Sequence, residues 1–151
     1  MDAPFVPSSR KVTDAMIRFA ELNGTETVMD LGAGDARVLI RAKKLYPSIR
    51  AVGFEILPMV WVLGKLNILL SGRKIEWRRA DALKQNVGDA DCVLLYLFPK
   101  VMRELEKKFD RELRPGTKVV SYVFRFPGHE PVKEMPVPWL GGKNVLRLYR
   151  W

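Results

Sequence analysis

The chain has 151 residues, 48% apolar and 28% charged, a balance that suits a globular domain and excludes a disordered or fibrous one. Its 26 Lys and Arg against 17 Asp and Glu leave +9 at pH 7, which bears on partners and not on fold: anionic surfaces become candidates. Cys92 has no second cysteine to pair with and His129 is the one histidine, so neither a disulfide nor a metal centre is expected.

Residues 1–7 lack a basic stretch followed by an apolar one, so no secretory signal is read and the expected location is the cytoplasm. Ser8 and Ser9 offer oxygens to cap a helix over residues 11–22, where Val12, Ala15, Met16, Phe19 and Ala20 recur at helical spacing and Asn23-Gly24 stops it. Residues 27–31 read as a short buried strand. The turn Gly32-Ala33-Gly34-Asp35 leads into a helix over 36–45, which ends before Pro47 because a residue preceding proline avoids helical geometry. A second strand covers 50–55. Pro58 opens the most apolar helix of the chain, to Leu70, and Ser71-Gly72 closes it. Lys65 and Asn67 interrupt this run, which falls short of the roughly 18–20 residues that span a bilayer, so a buried helix is expected. A third strand over 74–79, a loop or short helix after Asp81-Ala82, a fourth strand over 91–97, a helix over 101–113 and a fifth strand over 118–126 follow. Pro127, Pro131, Pro136 and Pro138 forbid a long helix in the tail, which is read as a loop running into a last strand over 144–149.

Strands alternating with helices imply right-handed crossovers and a mostly parallel sheet covered on both faces, here one domain over residues 1–151. Ligands then collect at the carboxyl ends of the strands, beside the first. The informative segment there is Val28-Met29-Asp30-Leu31-Gly32-Ala33-Gly34-Asp35-Ala36-Arg37. Glycines after a strand let a ligand lie against bare backbone at a helix N-terminus. A dinucleotide fingerprint wants a third glycine where Arg37 stands, which argues against a nicotinamide cofactor. Two acids in the turn also repel phosphate and attract a cation.

This motif, an acid and an apolar residue before Gly-x-Gly, resembles that of the class I S-adenosylmethionine-dependent methyltransferases. The resemblance implies their Rossmann-like α/β sandwich, with a seven-stranded type of sheet and an abbreviated C-terminal part. It also implies a cofactor site made of Asp30, Gly32, Gly34 and Asp35 around the methionine end and ribose, Glu55 accepting from the ribose hydroxyls, and Asp81 with Ala82 at the adenine. More narrowly, Phe5 to Arg10, Asp30 to Arg37, Gly53-Phe54-Glu55, Tyr96 to Met102 and Gly116 to Phe126 together resemble the small lysine methyltransferases of the ATP synthase c subunit and the adenine nucleotide translocase. Two departures stand out: the amino-terminal membrane segment of the animal members is not seen, and Ala36 takes the place of a usual glycine.

The fourth strand ends Leu95-Tyr96-Leu97-Phe98-Pro99, without the Asp or Asn before Pro-Pro-aromatic that holds a planar amide or amino group. A lysine must instead shed a proton, and a dry aromatic channel beside a sulfonium favours the neutral amine. Tyr96 is the candidate to orient that amine. Phe98 lines the channel, and Phe5 closes it against the cofactor. Phe98, and Tyr122 and Phe124 on the fifth strand, are equally readable as core. The expected activity is methyl transfer to a lysine of a protein, soluble or membrane-embedded, with the enzyme peripheral to the membrane in the latter case. An RNA methyltransferase is the alternative, which the net charge permits, and a cofactor-binding module without catalysis is another. Oligomeric state is left open. Cys92 is read as an inert core residue, His129 as an exposed loop residue, and residues 103–114, with both signs at i, i+4 spacing, as a solvated helix face.

Overall fold

The computed structural model describes residues 9–97, 99–137 and 144–151. In chain order its elements are α1 (Arg10–Phe19), β1 (Thr27–Leu31), α2 (Arg37–Leu45), β2 (Arg50–Glu55), α3 (Pro58–Ser71), β3 (Glu76–Arg79), a 3-10 turn (Ala82–Lys84), β4 (Cys92–Leu95), α4 (Pro99–Glu112), β5 (Lys118–Tyr122), β6 (Lys133–Pro136) and β7 (Val145–Arg150). The strands form one sheet in the order β3-β2-β1-β4-β5-β7-β6. The pairings among β1 to β5 are parallel, and β7 runs antiparallel to both β5 and β6. This is the class I methyltransferase architecture, Rossmann-like, with the direction of sheet growth reversing at β1.

Strand alternation divides the core. Val28, Ala51, Cys92, Leu94 and Val120 pack with α1 and α2 on one face, whereas Met29, Leu31, Val52, Phe54, Val93 and Leu95 pack with α4 on the other. Burial on both faces explains why these strands read as unbroken apolar runs. Cys92 is fully buried, and burial pushes its thiol up to about 12, in keeping with an inert core residue. Ser9 caps α1, its Oγ accepting from Val12 N at 3.3 Å, a contact worth about 1 kcal/mol. Among the described residues no helix is long and apolar enough to cross a membrane.

The structure corrects several expectations. α1 stops at Phe19 and not at residue 22, because Glu21 adopts φ +51 and the N–H groups of Asn23, Gly24 and Thr25 turn onto the Glu26 carboxylate. β5 ends at Tyr122, four residues early. Val123 takes φ +75 and the Phe124 N–H bends back to Tyr122 O, which breaks the ladder. β6 was not foreseen: Lys133–Pro136 pairs with β7 as an edge strand, where a proline is tolerated at its end.

α3 is not buried. Gly64 and Ile68 are its buried residues, seated on Trp77 of β3, and a methyl group on Gly64 would collide with the Trp77 ring. The opposite side faces solvent. On α4, Lys108 departs from the solvated face: it is 4% exposed, and its ammonium donates to Glu112 Oε1 at 2.7 Å. His129 is not a free loop residue either. Its ring stacks on Trp151 at 4.0 Å, with Nδ1 3.1 Å from Glu106 Oε2 and Nε2 3.2 Å from Asp110 Oδ1.

Candidate active site

Asp30 lies one residue before the end of β1 and Glu55 ends β2. In the parallel register Asp30 is opposite Gly53, so the Glu55 side chain emerges on the same face, one diagonal step further along. Both carboxylates are 6% exposed. Burial pushes Asp30 up to about 8, helped by the negative charges of Glu55 and Asp35. Burial likewise lifts Glu55 to about 7, opposed by a hydrogen bond from the Ile56 backbone. The nearby charges acting on Asp30 are themselves negative, and among the described residues neither Asp30 nor Glu55 forms an ion pair. A buried carboxylate without a cation is costly, and a cationic ligand is what the pair is suited to receive.

The loop between β1 and α2 sits against them. Gly32 and Gly34 take φ +72 and +58, which residues with a Cβ rarely adopt. A methyl group on Gly32 would also stand 2.8 Å from Leu97 Cδ2. Ala33 N donates to Phe54 O at 2.9 Å, tying the loop to β2. Ala36 is at φ +70 and caps α2 without a side-chain hydrogen bond, so it holds a glycine-like conformation in the position where relatives were expected to have glycine.

Asp35 is engaged elsewhere. Its carboxylate accepts from Arg37 Nε at 2.9 Å and from the terminal guanidinium nitrogen at 2.5 Å, a bidentate pair that fixes the loop's exit into α2. Its backbone carbonyl accepts from Asn67 Nδ2 at 3.0 Å. From the sequence Asn67 reads only as an interruption of the apolar run, yet it is the one amide of α3, whose other polar side chains are Lys65 and Ser71. Ala80 N donates to Glu55 O at 3.2 Å, so the end of β3 follows β2 and places Asp81 at the same sheet end. Asp81 caps the 3-10 turn, accepting from Leu83 N at 3.0 Å, and Ala82 is buried.

Tyr96 follows β4 one residue past the Leu31–Leu95 pairing that ends the β1–β4 ladder. Its ring packs on Tyr122 at the end of β5, centroids 4.9 Å apart and planes tilted by 52°. Tyr122 is buried, and desolvation followed by the neighbouring Tyr96 holds its hydroxyl above the usual phenol range. Glu55, Asp30, Gly32 and Tyr96 thus succeed one another across the ends of three adjacent strands. Phe5 and Phe98 lie outside the described residues.

Residues 30–133 match the model of a family described as the ANTKMT methyltransferase domain. The chain is similar to a protein-lysine N-methyltransferase of Saccharolobus islandicus strain REY15A, 34% identical over 97% of this chain and 92% of that protein. It is also similar to the human lysine N-methyltransferase of the ATP synthase c subunit, 29% identical over 85% of this chain and 54% of that protein, so it spans about half the human protein's length. Among solved structures, that of an RNA methyltransferase from Salinibacter ruber in complex with S-adenosyl-L-homocysteine superposes with a TM-score of 0.89. That likeness is 30% identical and covers 96% of this chain and 93% of the other. With a glycine loop and two buried acids at the ends of β1 and β2, the chain belongs to the ANTKMT methyltransferase domain family and is an S-adenosylmethionine-dependent methyltransferase.

Proposed function

We propose that this enzyme methylates the side-chain amine of a lysine in a protein. The observation that carries the reading is the Tyr96–Tyr122 pair beside the glycine loop, at a strand end that has neither an acid nor an amide to hold a planar amino group. The names of the relatives from Saccharolobus islandicus and human support it. In this reading Asp30, Gly32, Gly34 and Glu55 hold the cofactor, Asp81 and Ala82 border its base, and Asp35 shapes the loop through Arg37. The same reading assigns Phe5 and Phe98, both outside the described residues, to the channel, and takes residues 1–151 as one domain with residues 1–24 as its covering segment.

When bound, S-adenosylmethionine supplies an electrophilic methyl group on a sulfonium. The protein's work is positional. Asp30 and Glu55 would hold the cofactor as carboxylates, Glu55 by accepting from its ribose hydroxyls, while the aromatic pair would strip water from the lysine so that its neutral amine is favoured and the Tyr96 hydroxyl would orient the nitrogen lone pair for in-line displacement. The amine proton leaves to water. The finer part of the reading is that the acceptor is membrane-embedded and that the enzyme works at the membrane surface, which the net charge of +9 supports.

A second reading, methylation of RNA, rests on the Salinibacter ruber relative and the same surplus of charge. Incubation with tritiated cofactor and separated protein and RNA fractions distinguishes the two. The expected label sits on lysine, located by mass spectrometry, and Tyr96→Phe slows transfer about tenfold with unchanged cofactor affinity, the loss of one oriented hydrogen bond. Label confined to RNA overturns the lysine reading.

A further inference from the structure

The solvent side of α3 is a second feature of this molecule with chemistry of its own. At 100° per residue, Leu69, Val62, Leu66, Met59, Leu70 and Leu63 fall in sequence across one third of the helix circumference, opposite the Gly64–Ile68 face that seats on Trp77. Met59 is 83% exposed and Leu70 87%. Six exposed aliphatic side chains in one unbroken stripe form a patch of a kind that isolated domains keep small. α3 itself contains no acid.

Charge says what covers it. Residues 56–79 carry Lys65, Arg73, Lys74, Arg78 and Arg79 against the one acid Glu76. Glu76 is already held by Arg50 at 2.8 Å and Arg78 at 3.0 Å. Lys65 borders the apolar stripe, Arg73 and Lys74 follow the helix, and Arg79 is exposed on the adjoining edge strand β3; none of these four forms an ion pair among the described residues. A second copy of the chain on this face, related by a two-fold axis, would set these cations against themselves. An anionic bilayer meets both demands: acyl chains receive the aliphatic stripe while headgroups receive the cations.

We propose that α3 is an in-plane membrane anchor, binding bilayers that contain anionic lipid. Its fourteen residues, about 21 Å long, are too few to span a membrane and enough to lie in one. Pro58 begins the helix three residues after Glu55, so an anchored α3 holds the carboxyl-end crevice next to the bilayer. The proposal deepens the membrane part of the reading above, yet it does not depend on which atom is methylated.

Flotation of the full chain with vesicles tests it. Phosphatidylcholine vesicles containing phosphatidylglycerol are expected to carry the protein at least about tenfold better than pure phosphatidylcholine, with binding falling as salt is added. The double variant Met59→Gln, Leu70→Gln, at two solvent-facing positions, should lose that binding with its circular dichroism unchanged, and Lys65→Glu should weaken it. Three results overturn the proposal: a wild-type chain that ignores anionic vesicles, a double variant that floats as before, or a dimer in sedimentation velocity that the double variant dissolves while vesicles capture neither. Because flotation is measured without methyl transfer, failure of the lysine assay leaves it standing, and failure here leaves that assay standing.

Discussion

Asp30 and Lys108 are buried to nearly the same degree, 6% and 4% exposed, on opposite faces of the sheet, and the fold treats their charges in opposite ways. Lys108 on α4 has Glu112 one turn away at 2.7 Å, and the second oxygen of that carboxylate accepts from Val87 N at 3.1 Å. The charge is matched within the protein. Asp30 has no ion-pair partner among the described residues, and burial, with Glu55 and Asp35 nearby, holds it far above its ordinary range. A protein neutralises a buried charge that serves only its own structure and leaves unmatched one that an outside partner is to neutralise. The contrast therefore separates scaffold from binding site without reference to any relative.

The sharpest way to break this comparison is at Asp30. Asp30→Ala is expected to lower affinity for S-adenosylmethionine by a hundredfold or more, about 3 kcal/mol, by titration calorimetry, while the unfolding midpoint does not fall. Sign and pH window follow from the same burial. Asp30, at about 8 against 3.8, binds its proton more tightly folded than unfolded, so it lowers stability as pH rises between those values; Glu55, at about 7 against 4.5, does so over a narrower span. The ligand-free enzyme should lose stability between about pH 5 and 8, a slope that Asp30→Asn flattens. Cofactor binding runs the other way, tightening over that interval and releasing protons to buffer. Affinity that falls with rising pH would remove the ionised acids from the site.

At Lys108 the expected effect is on folding alone. Glu112→Ala leaves the ammonium without its partner and Val87 N–H without its acceptor. Since the Glu112 side chain is 24% exposed, water recovers part of the loss and the cost is about 2–3 kcal/mol in denaturant unfolding. Lys108→Leu combined with Glu112→Gln should regain most of it, because an apolar side chain suits a position buried among Val101, Met102, Leu105 and Phe109 on the same helical stripe. A loss under about 1 kcal/mol in the single variant would mean that the pair is as loosely held as one on the surface.

The two sites were not equally legible. The Asp30 crevice could be read because its determinants are local: a strand, two glycines with forced dihedrals and an acid at the end of the next strand, all within residues 28–55. Pro58, Pro115-Gly116 and Gly72 likewise punctuated the helices by chemistry that acts within a turn. Lys108 was hidden by its own charge, although Val101, Met102, Leu105, Lys108 and Phe109 share one helical stripe, so periodicity placed it inward. α3 misled for the opposite reason. It is apolar on nearly every side, so no period marked a buried face, and only Gly64 against Trp77 decides which side turns inward. Val123 at φ +75 contradicts the preference of a β-branched residue, and the polar edge strand Lys133–Pro136 exists only because β7 offers it a ladder.

The smallest expected effect tests whether exposure, and not charge as such, separates these cases. Glu134 on β6 lies 3.2 Å from Arg147 Nε and 3.7 Å from Arg125, with 43% of its side chain exposed. Arg147 keeps a second hold when Glu134 is removed, since its guanidinium also donates to Val123 O at 2.6 Å. Glu134→Ala should therefore cost well under about 1 kcal/mol in thermal or urea unfolding, and added salt should shrink even that. A cost that matched Glu112→Ala would show that the tail hairpin β6–β7 depends on its ion pairs. Equal weight for exposed and buried charges would then leave the isolation of Asp30 without the energetic meaning that marks it as a ligand site.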